Sequence, residues 1–221
     1  MKKILVFLAE GFEEIEAITI IDIARRAEID CKTVSVTGKK EVVGAHGVAL
    51  MADMLFDEKI CMQADGLILP GGMPGTTNLQ SHEGLTKALK SFYEQGKIIA
   101  AICAAPMVFG ELGFLEKKKA TIYPGMQQHL KGAVCSTEMV CQDGNVITSR
   151  APGTAMAFGL KIAEVFAGEK KAEEVKKHWY ILCNIKRTSL RKRFFEVVDK
   201  VDNPWSKTHF IEVVAVESIE V

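Results

Sequence analysis

The chain has 221 residues, 48% of them hydrophobic and 25% charged, with 28 basic side chains against 28 acidic ones. That is enough to bury a full core in one domain, with room for an appendage. A formal net charge of zero excludes a global field that would draw the protein to nucleic acid or to a membrane surface, and it is compatible with an oligomer.

The chain opens MKKILVFLAEGFEE. Two lysines precede an apolar run, but the run is too short for a signal peptide and glutamates follow at once, so Ile4–Leu8 reads as a first strand. No stretch approaches the length needed to cross a bilayer, and the expected location is the cytoplasm. Ala17–Ala27 reads as a helix and Cys31–Val36 as a second strand. Val42–Met51 looks like an extended excursion or hairpin. Asp65–Leu69 is a third, buried strand that ends in Pro70-Gly71-Gly72. Leu85–Gln95 is a helix. Ile98–Ile102 is a short apolar strand bounded by Gly96, and it runs through Cys103 into a helix starting near Pro106, where a proline costs no hydrogen bond. Val134–Thr148 holds short strands with Asp143-Gly144-Asn145 as the turn, and Thr154–Phe166 and Ala172–Trp179 are helices.

Strands alternating with helices predict an α/β sandwich, a mostly parallel sheet with helices on both faces. Functional loops then lie at the carboxyl ends of strands, where residues 10–16, 70–75 and Cys103 should meet. From Leu182 onward the character changes. A basic cluster (Lys186, Arg187, Arg191, Lys192, Arg193) is followed by β-type residues, either packed as a helix and strand or loosely ordered. The cluster reads as a solvated face, and a nucleic-acid partner is not expected.

The six cysteines show no zinc-type spacing and read as free thiols, most of them buried and inert. Cys103 sits at a strand-to-helix turn between small residues, Ala101, Ala104 and Ala105. One reading is an exposed nucleophile whose thiolate is favoured by a helix N-terminus; the other is a small apolar residue in a tight turn. Of Glu13, Glu14 and Glu16, two should face water and one should turn inward to exchange a proton with the sulfur, its pKa raised by burial. Spacing does not choose which. Gly71 and Gly72 leave backbone N–H groups free of side chains, which with those of Cys103 and Ala104 would make an oxyanion hole; the alternative is a plain Gly-rich turn. None of the five histidines is placed beside the thiol by spacing, and His46 and His129 fall in loop-like stretches.

AEGFEEIEA after the first strand, LPGGMPG after the third, AAICAAP at the elbow and TSRAPGTAMAFGLKIAEVFAG near the last helices together resemble the ThiJ/PfpI superfamily, most closely its DJ-one and YajL branch. The resemblance covers about residues 1–180. It implies a flavodoxin-like sandwich and a homodimer, with a ThiJ/PfpI domain over residues 1–182 and a C-terminal extension, residues 183–221, that has no counterpart in the family. It implies that Cys103 is the oxidation-prone nucleophile and Glu16 its protonated carboxyl partner, with Gly72 and Ala104 supplying oxyanion-hole amides. His46 falls where relatives bring a basic side chain from the neighbouring subunit. Arg150, Ala151 and Pro152 fall in a loop lining the same site, although relatives often have Gly in place of Ala151. Tyr123 stands where some relatives carry a histidine, so a Cys–His dyad is not implied. Ala104 stands where the protease-like branch has histidine, so peptidase activity is not implied either.

The expected activity is a cofactor-free, metal-free, cysteine-dependent glyoxalase or deglycase acting on small 2-oxoaldehydes of the methylglyoxal type, or on their glycated adducts. The alternative is a redox-responsive, chaperone-like or regulatory protein in which Cys103 is oxidised to a sulfinate. A binding module with an inert Cys103 is the third reading.

Overall fold

A computed structural model describes residues 1–179, so the readings made from Leu182 onward fall outside the described residues. The chain divides into two units, Met1–Lys176 and Lys177–Val221. Its elements run β1 Lys3–Leu8, α1 Glu14–Arg26, β2 Asp30–Ser35, β3 Glu41–Val43, β4 Ala49–Met51, β5 Met54–Leu55, α2 Glu58–Met62, β6 Gly66–Leu69, α3 Gly75–Ser81, α4 Glu83–Glu94 and β7 Ile98–Ile102. After the elbow come α5 Pro106–Glu111, β8 Lys119–Ala120, β9 Val134–Cys135, β10 Val140–Asp143, β11 Val146–Ser149, α6 Ala155–Ala167 and α7 Glu169–Trp179.

Seven strands form the main sheet in the order β10-β11-β7-β6-β1-β2-β5. Every pairing is parallel except that of the edge strand β10 with β11. Alternate residues of each strand feed opposite cores, as the two-residue period of a strand requires. Ile4, Val6, Leu8, Ala100 and Ile102 pack with α1 and α6, while Leu5, Phe7, Leu67, Leu69, Ile99 and Ala101 pack with α4 and α5. A parallel sheet covered on both faces explains why its strands read as continuous apolar runs. α1 lies against α6, where Gly159 leaves room for Ile23: a Cβ on that glycine would stand 2.8 Å from Ile23 Cδ1.

β1 has β2 on one side and β6 on the other, so the direction of winding reverses there. Such a switch point opens a crevice beyond the carboxyl ends of the strands. The loops after β1 and β6 and the end of β7 therefore converge.

The expected hairpin is β3 paired antiparallel with β4. The short elements α2, α3, β5 and β8 have no sequence-level counterpart. α2 is started by Asp57, whose Oδ1 accepts the Ile60 N–H at 3.0 Å. α3 is started by carbonyls, with Gly72 and Pro74 accepting from Thr76 and Asn78. A helix built that way carries no apolar period to detect.

Candidate active site

Cys103 follows the last residue of β7 and holds a left-handed backbone, φ 63°, a conformation that crowds an L side chain. Two hydrogen bonds clamp it there. Its N–H donates to the Ser149 carbonyl at 3.0 Å, and its own carbonyl accepts the Tyr123 N–H at 2.8 Å. The residue is only 8% exposed.

Glu16 is in the first turn of α1 and wholly buried, at 0% exposure. Its Oε2 accepts the Gly71 N–H at 2.7 Å, and its carboxyl engages the Cys103 side chain. Gly71 must be a glycine: a Cβ there would stand 2.6 Å from Cys103 Cβ and 2.8 Å from Glu16 Oε2. Gly72, at φ 91°, directs its N–H at the Cys103 sulfur, as does Ala104. The loops after β1 and β6 are tied together by the Glu13 N–H on the Gly71 carbonyl at 2.9 Å and the Gly75 N–H on the Gly11 carbonyl at 3.1 Å.

Burial pushes the Glu16 carboxyl up to about 7, against the Gly71 N–H and the Cys103 side chain that favour its anion; the Glu13 charge adds to the rise. Oε1 of Glu16 is buried with no hydrogen-bond partner of ordinary geometry among the described residues, which also disfavours the ionised form. Burial, then the Glu16 charge and its hydrogen bond, push the Cys103 thiol up to about 12, against the Ala104 and Gly72 amides. Burial and the neighbouring carboxylate thus oppose the thiolate that a helix end would favour. α5 has only six residues and begins beyond the elbow, at Pro106. The thiol and the carboxyl are coupled, each acting on the titration of the other.

The other glutamates do not face water as expected: Glu13 and Glu14 are buried. Glu14 Oε1 accepts the His46 N–H at 2.7 Å and its Oε2 lies 2.9 Å from His46 Nδ1. Burial alone would raise the Glu14 pKa, but hydrogen bonds from the His46 ring and from the backbone of Glu14, His46 and Val48 hold it below the usual carboxylate range.

A model of the DJ-1/PfpI family matches residues 2–165. The chain belongs to the DJ-1/PfpI family. It is 39% identical over 178 residues to protein DJ-1 homolog B of Arabidopsis thaliana, a match covering 79% of this chain and 40% of that protein. This chain thus spans less than half the length of that relative. With protein dj-1beta of Drosophila melanogaster the identity is 37% over 185 residues, 83% of this chain and 99% of the relative. The structure of oxidized Toxoplasma gondii DJ-1 superposes with a TM-score of 0.76 at 35% identity, covering 81% of this chain and 98% of that one. The flavodoxin-like sandwich is the fold of this family. Among the described residues no helix is long and apolar enough to cross a membrane.

Cys103, Glu16, Gly71, Gly72 and Ala104 thus come together in one place. The Tyr123 backbone holds the elbow, and its side chain is 44% exposed. Arg150 lies beside Ser149, but its guanidinium donates to the Thr137 carbonyl at 2.9 Å. Pro152 opens a 3-10 turn, Pro152–Thr154, whose Thr154 hydroxyl bonds Ser149 Oγ at 2.8 Å. Ser149 is the site residue that sequence reasoning missed; its carbonyl acts on the nucleophile's backbone, which no side-chain pattern reveals. Cys31, Cys61 and Cys141 are buried and Cys135 is exposed, all free thiols, while Cys183 falls outside the described residues.

Proposed function

We propose that this protein is a cytoplasmic, cysteine-dependent enzyme that converts 2-oxoaldehydes of the methylglyoxal type, free or as adducts, to 2-hydroxy acids. The observation that carries the reading is the wholly buried Glu16 carboxyl, held by the Gly71 N–H beside a thiol on a left-handed elbow. Glu16 as carboxylate takes the thiol proton while sulfur attacks the aldehyde carbon, and the new alkoxide is protonated to a hemithioacetal. The Gly72 and Ala104 amides stabilise the charge that leaves the sulfur. The carboxyl group then relays the C1 proton to C2 through an enediol, giving a 2-hydroxyacyl thioester. Water cleaves that bond, releasing the acid and restoring the thiol. The two carbons exchange oxidation level internally, so no external oxidant or reductant takes part.

Lactate formed from methylglyoxal is the test. Cys103→Ala should abolish turnover and Glu16→Gln should lower it by roughly 10²-fold or more. Equal rates in wild type and Cys103→Ala would remove the reading. A homodimer is supported by apolar side chains left exposed on α1 (Ile15, Ile18) and around the β3–β4 hairpin (Val43, Val48, Met51); sedimentation equilibrium checks it.

The same donors would hold the oxygens of a Cys103 sulfinate beside a protonated Glu16, and a relative of this chain has been solved oxidized. On that second reading the thiol is a sensor. Mild peroxide should then place a sulfinate on Cys103 ahead of the exposed Cys135, and equal modification of the two argues against it.

A further inference from the structure

Ser149 reaches the nucleophile through its backbone, and what holds Ser149 in turn lies outside the aldehyde chemistry. It is the last residue of β11, stands opposite Ile102 of β7 and is wholly buried. One peptide plane joins it to Arg150. The C=O of that plane accepts the Cys103 N–H at 3.0 Å, and the N–H donates to the Met139 carbonyl at 3.3 Å. Any rotation of the plane therefore shifts the clamp on the elbow.

No strand ladder continues past this point, because β11 ends at Ser149 and the chain enters the Pro152–Thr154 turn. Hydroxyls take over. Ser149 Oγ donates to the Met139 carbonyl at 2.7 Å and lies 2.8 Å from Thr154 Oγ1, which accepts the Ala151 N–H at 3.0 Å. A hydroxyl has one proton to give. With the Ser149 proton on Met139, the bond between the two hydroxyls takes the Thr154 proton. The Ala151 carbonyl, 2.8 Å from Thr154 Oγ1, is then served by the Thr154 N–H at the same distance. The result is one directed chain, from the Ala151 N–H through Thr154 and Ser149 to the Met139 carbonyl, in which each bond polarises the next.

The far end of that chain is anchored. Met139 precedes β10, whose Val140 pairs with Ser149, and the Arg150 guanidinium holds the same loop through the Thr137 carbonyl at 2.9 Å. The need for such a hold lies in Cys103. A left-handed φ of 63° at a residue with a side chain persists only where its surroundings over-determine it. Without the Ser149 carbonyl, the Tyr123 N–H is what remains of the two clamps, and the sulfur is free to drift from Glu16 and from the Gly72 and Ala104 amides.

We propose that Ser149 and Thr154 are positioning residues for the nucleophile, their hydroxyls fixing the Ser149 carbonyl and through it the Cys103 sulfur. The proposal rests on Cys103 being the reacting thiol. Both hydroxyls act through the backbone of the elbow and not on the reacting atoms.

The experiment compares the full-length wild type with Thr154→Val, which keeps the shape and removes the hydroxyl, Thr154→Ser, which keeps the hydroxyl, and Ser149→Ala. Amide hydrogen exchange, read by NMR, reports the Cys103 N–H directly, with the β1 amides as reference. Lactate formation from methylglyoxal supplies kcat and KM. In Thr154→Val and Ser149→Ala, exchange at Cys103 should quicken by about tenfold or more relative to β1. Their kcat should fall by about tenfold or more while KM stays within about twofold. Thr154→Ser should behave as wild type in both readouts. Ser149 is wholly buried and its loss could unfold the chain, so the half-buried Thr154 decides the matter. Wild-type exchange or wild-type kcat in Thr154→Val would overturn the proposal. So would equal quickening at Cys103 and β1, or a Thr154→Ser as impaired as Thr154→Val. If wild type forms no lactate, the activity reading falls by itself, and exchange at Cys103 still decides whether the hydroxyls hold the elbow.

Discussion

Gly71 donates its backbone N–H to Glu16 Oε2 at 2.7 Å, and no side chain could occupy the space above that bond. A Cβ on Gly71 would stand 2.6 Å from Cys103 Cβ, 2.8 Å from Glu16 Oε2 and 2.9 Å from the Ile102 carbonyl. Acid, amide and nucleophile come from the first turn of α1 and from the ends of β6 and β7, and this glycine is where they touch.

Gly71→Ala should therefore damage fold and chemistry together. All three groups it meets are anchored, so the clash is relieved only by moving the elbow or the carboxyl. Overpacking of this kind costs about 1–3 kcal/mol, and a displaced carboxyl should lower turnover at least tenfold. Urea denaturation and lactate formation read the two effects; an unchanged midpoint with unchanged turnover contradicts the geometry.

Glu16 also makes stability depend on pH in a stated direction. Burial raises its carboxyl from the ordinary 4.5 to about 7, so the folded state holds that proton more tightly than the unfolded chain does. The resulting stabilisation is complete below about 4.5 and is lost as pH rises through about 7, an effect of about 3 kcal/mol. Glu16→Gln removes it. In chelator-treated protein, the stability of wild type minus that of Glu16→Gln should fall by about that amount between pH 4.5 and pH 8. A difference that stays flat across this range would mean the carboxyl is not desolvated. The wild-type Cys103 thiol, pushed up to about 12, titrates above this range.

Much of this was legible in the sequence, and the reasons are physical. β7 reads correctly as Ile98–Ile102 because it is apolar on both faces and bounded by Gly96. Cys103 and the Gly71-Gly72 pair are visible because small residues at strand ends mark close backbone approach. The choice of Glu16 among three glutamates came from family resemblance, since one helical turn presents all three near the same end. Burial of Glu13 and Glu14 was invisible because it depends on the β3–β4 hairpin folding back over α1, a contact between segments some thirty residues apart. What acts on the Cys103 thiol is hidden from the sequence for the same kind of reason. A helix end favours an anion, whereas the neighbouring Glu16 charge and the enclosing core act against it, and both belong to tertiary structure.

The left-handed backbone of Cys103, φ 63°, predicts an ordering of two inactive variants. Both Cys103→Gly and Cys103→Ala remove the sulfur, and only the alanine keeps a Cβ in a region where it crowds the following carbonyl, at about 1 kcal/mol. Glycine loses more chain entropy on folding elsewhere, yet in this conformation it should be the more stable of the two by about that amount. Thermal or chemical denaturation of the pair decides it; Cys103→Ala being the more stable would mean the elbow is not strained.

Thiol chemistry offers the most direct view of the shared proton. If ionised Glu16 is the group that accepts the Cys103 proton, reactivity must be gained as pH rises through the carboxyl's value of about 7, far below the thiol's own value of about 12. The alkylation rate of Cys103 by iodoacetamide, followed by mass spectrometry in chelator-treated protein, should then step upward with a midpoint near 7. Glu16→Gln lacks the acceptor, so the step should vanish and leave only the steady rise of a buried thiol ionising into alkali. Removing the carboxylate also removes its charge, which by itself would ease ionisation of the sulfur. A faster reaction in Glu16→Gln at high pH is therefore compatible with the mechanism, whereas a retained midpoint near 7 is not, because a group other than Glu16 would then be the one titrating.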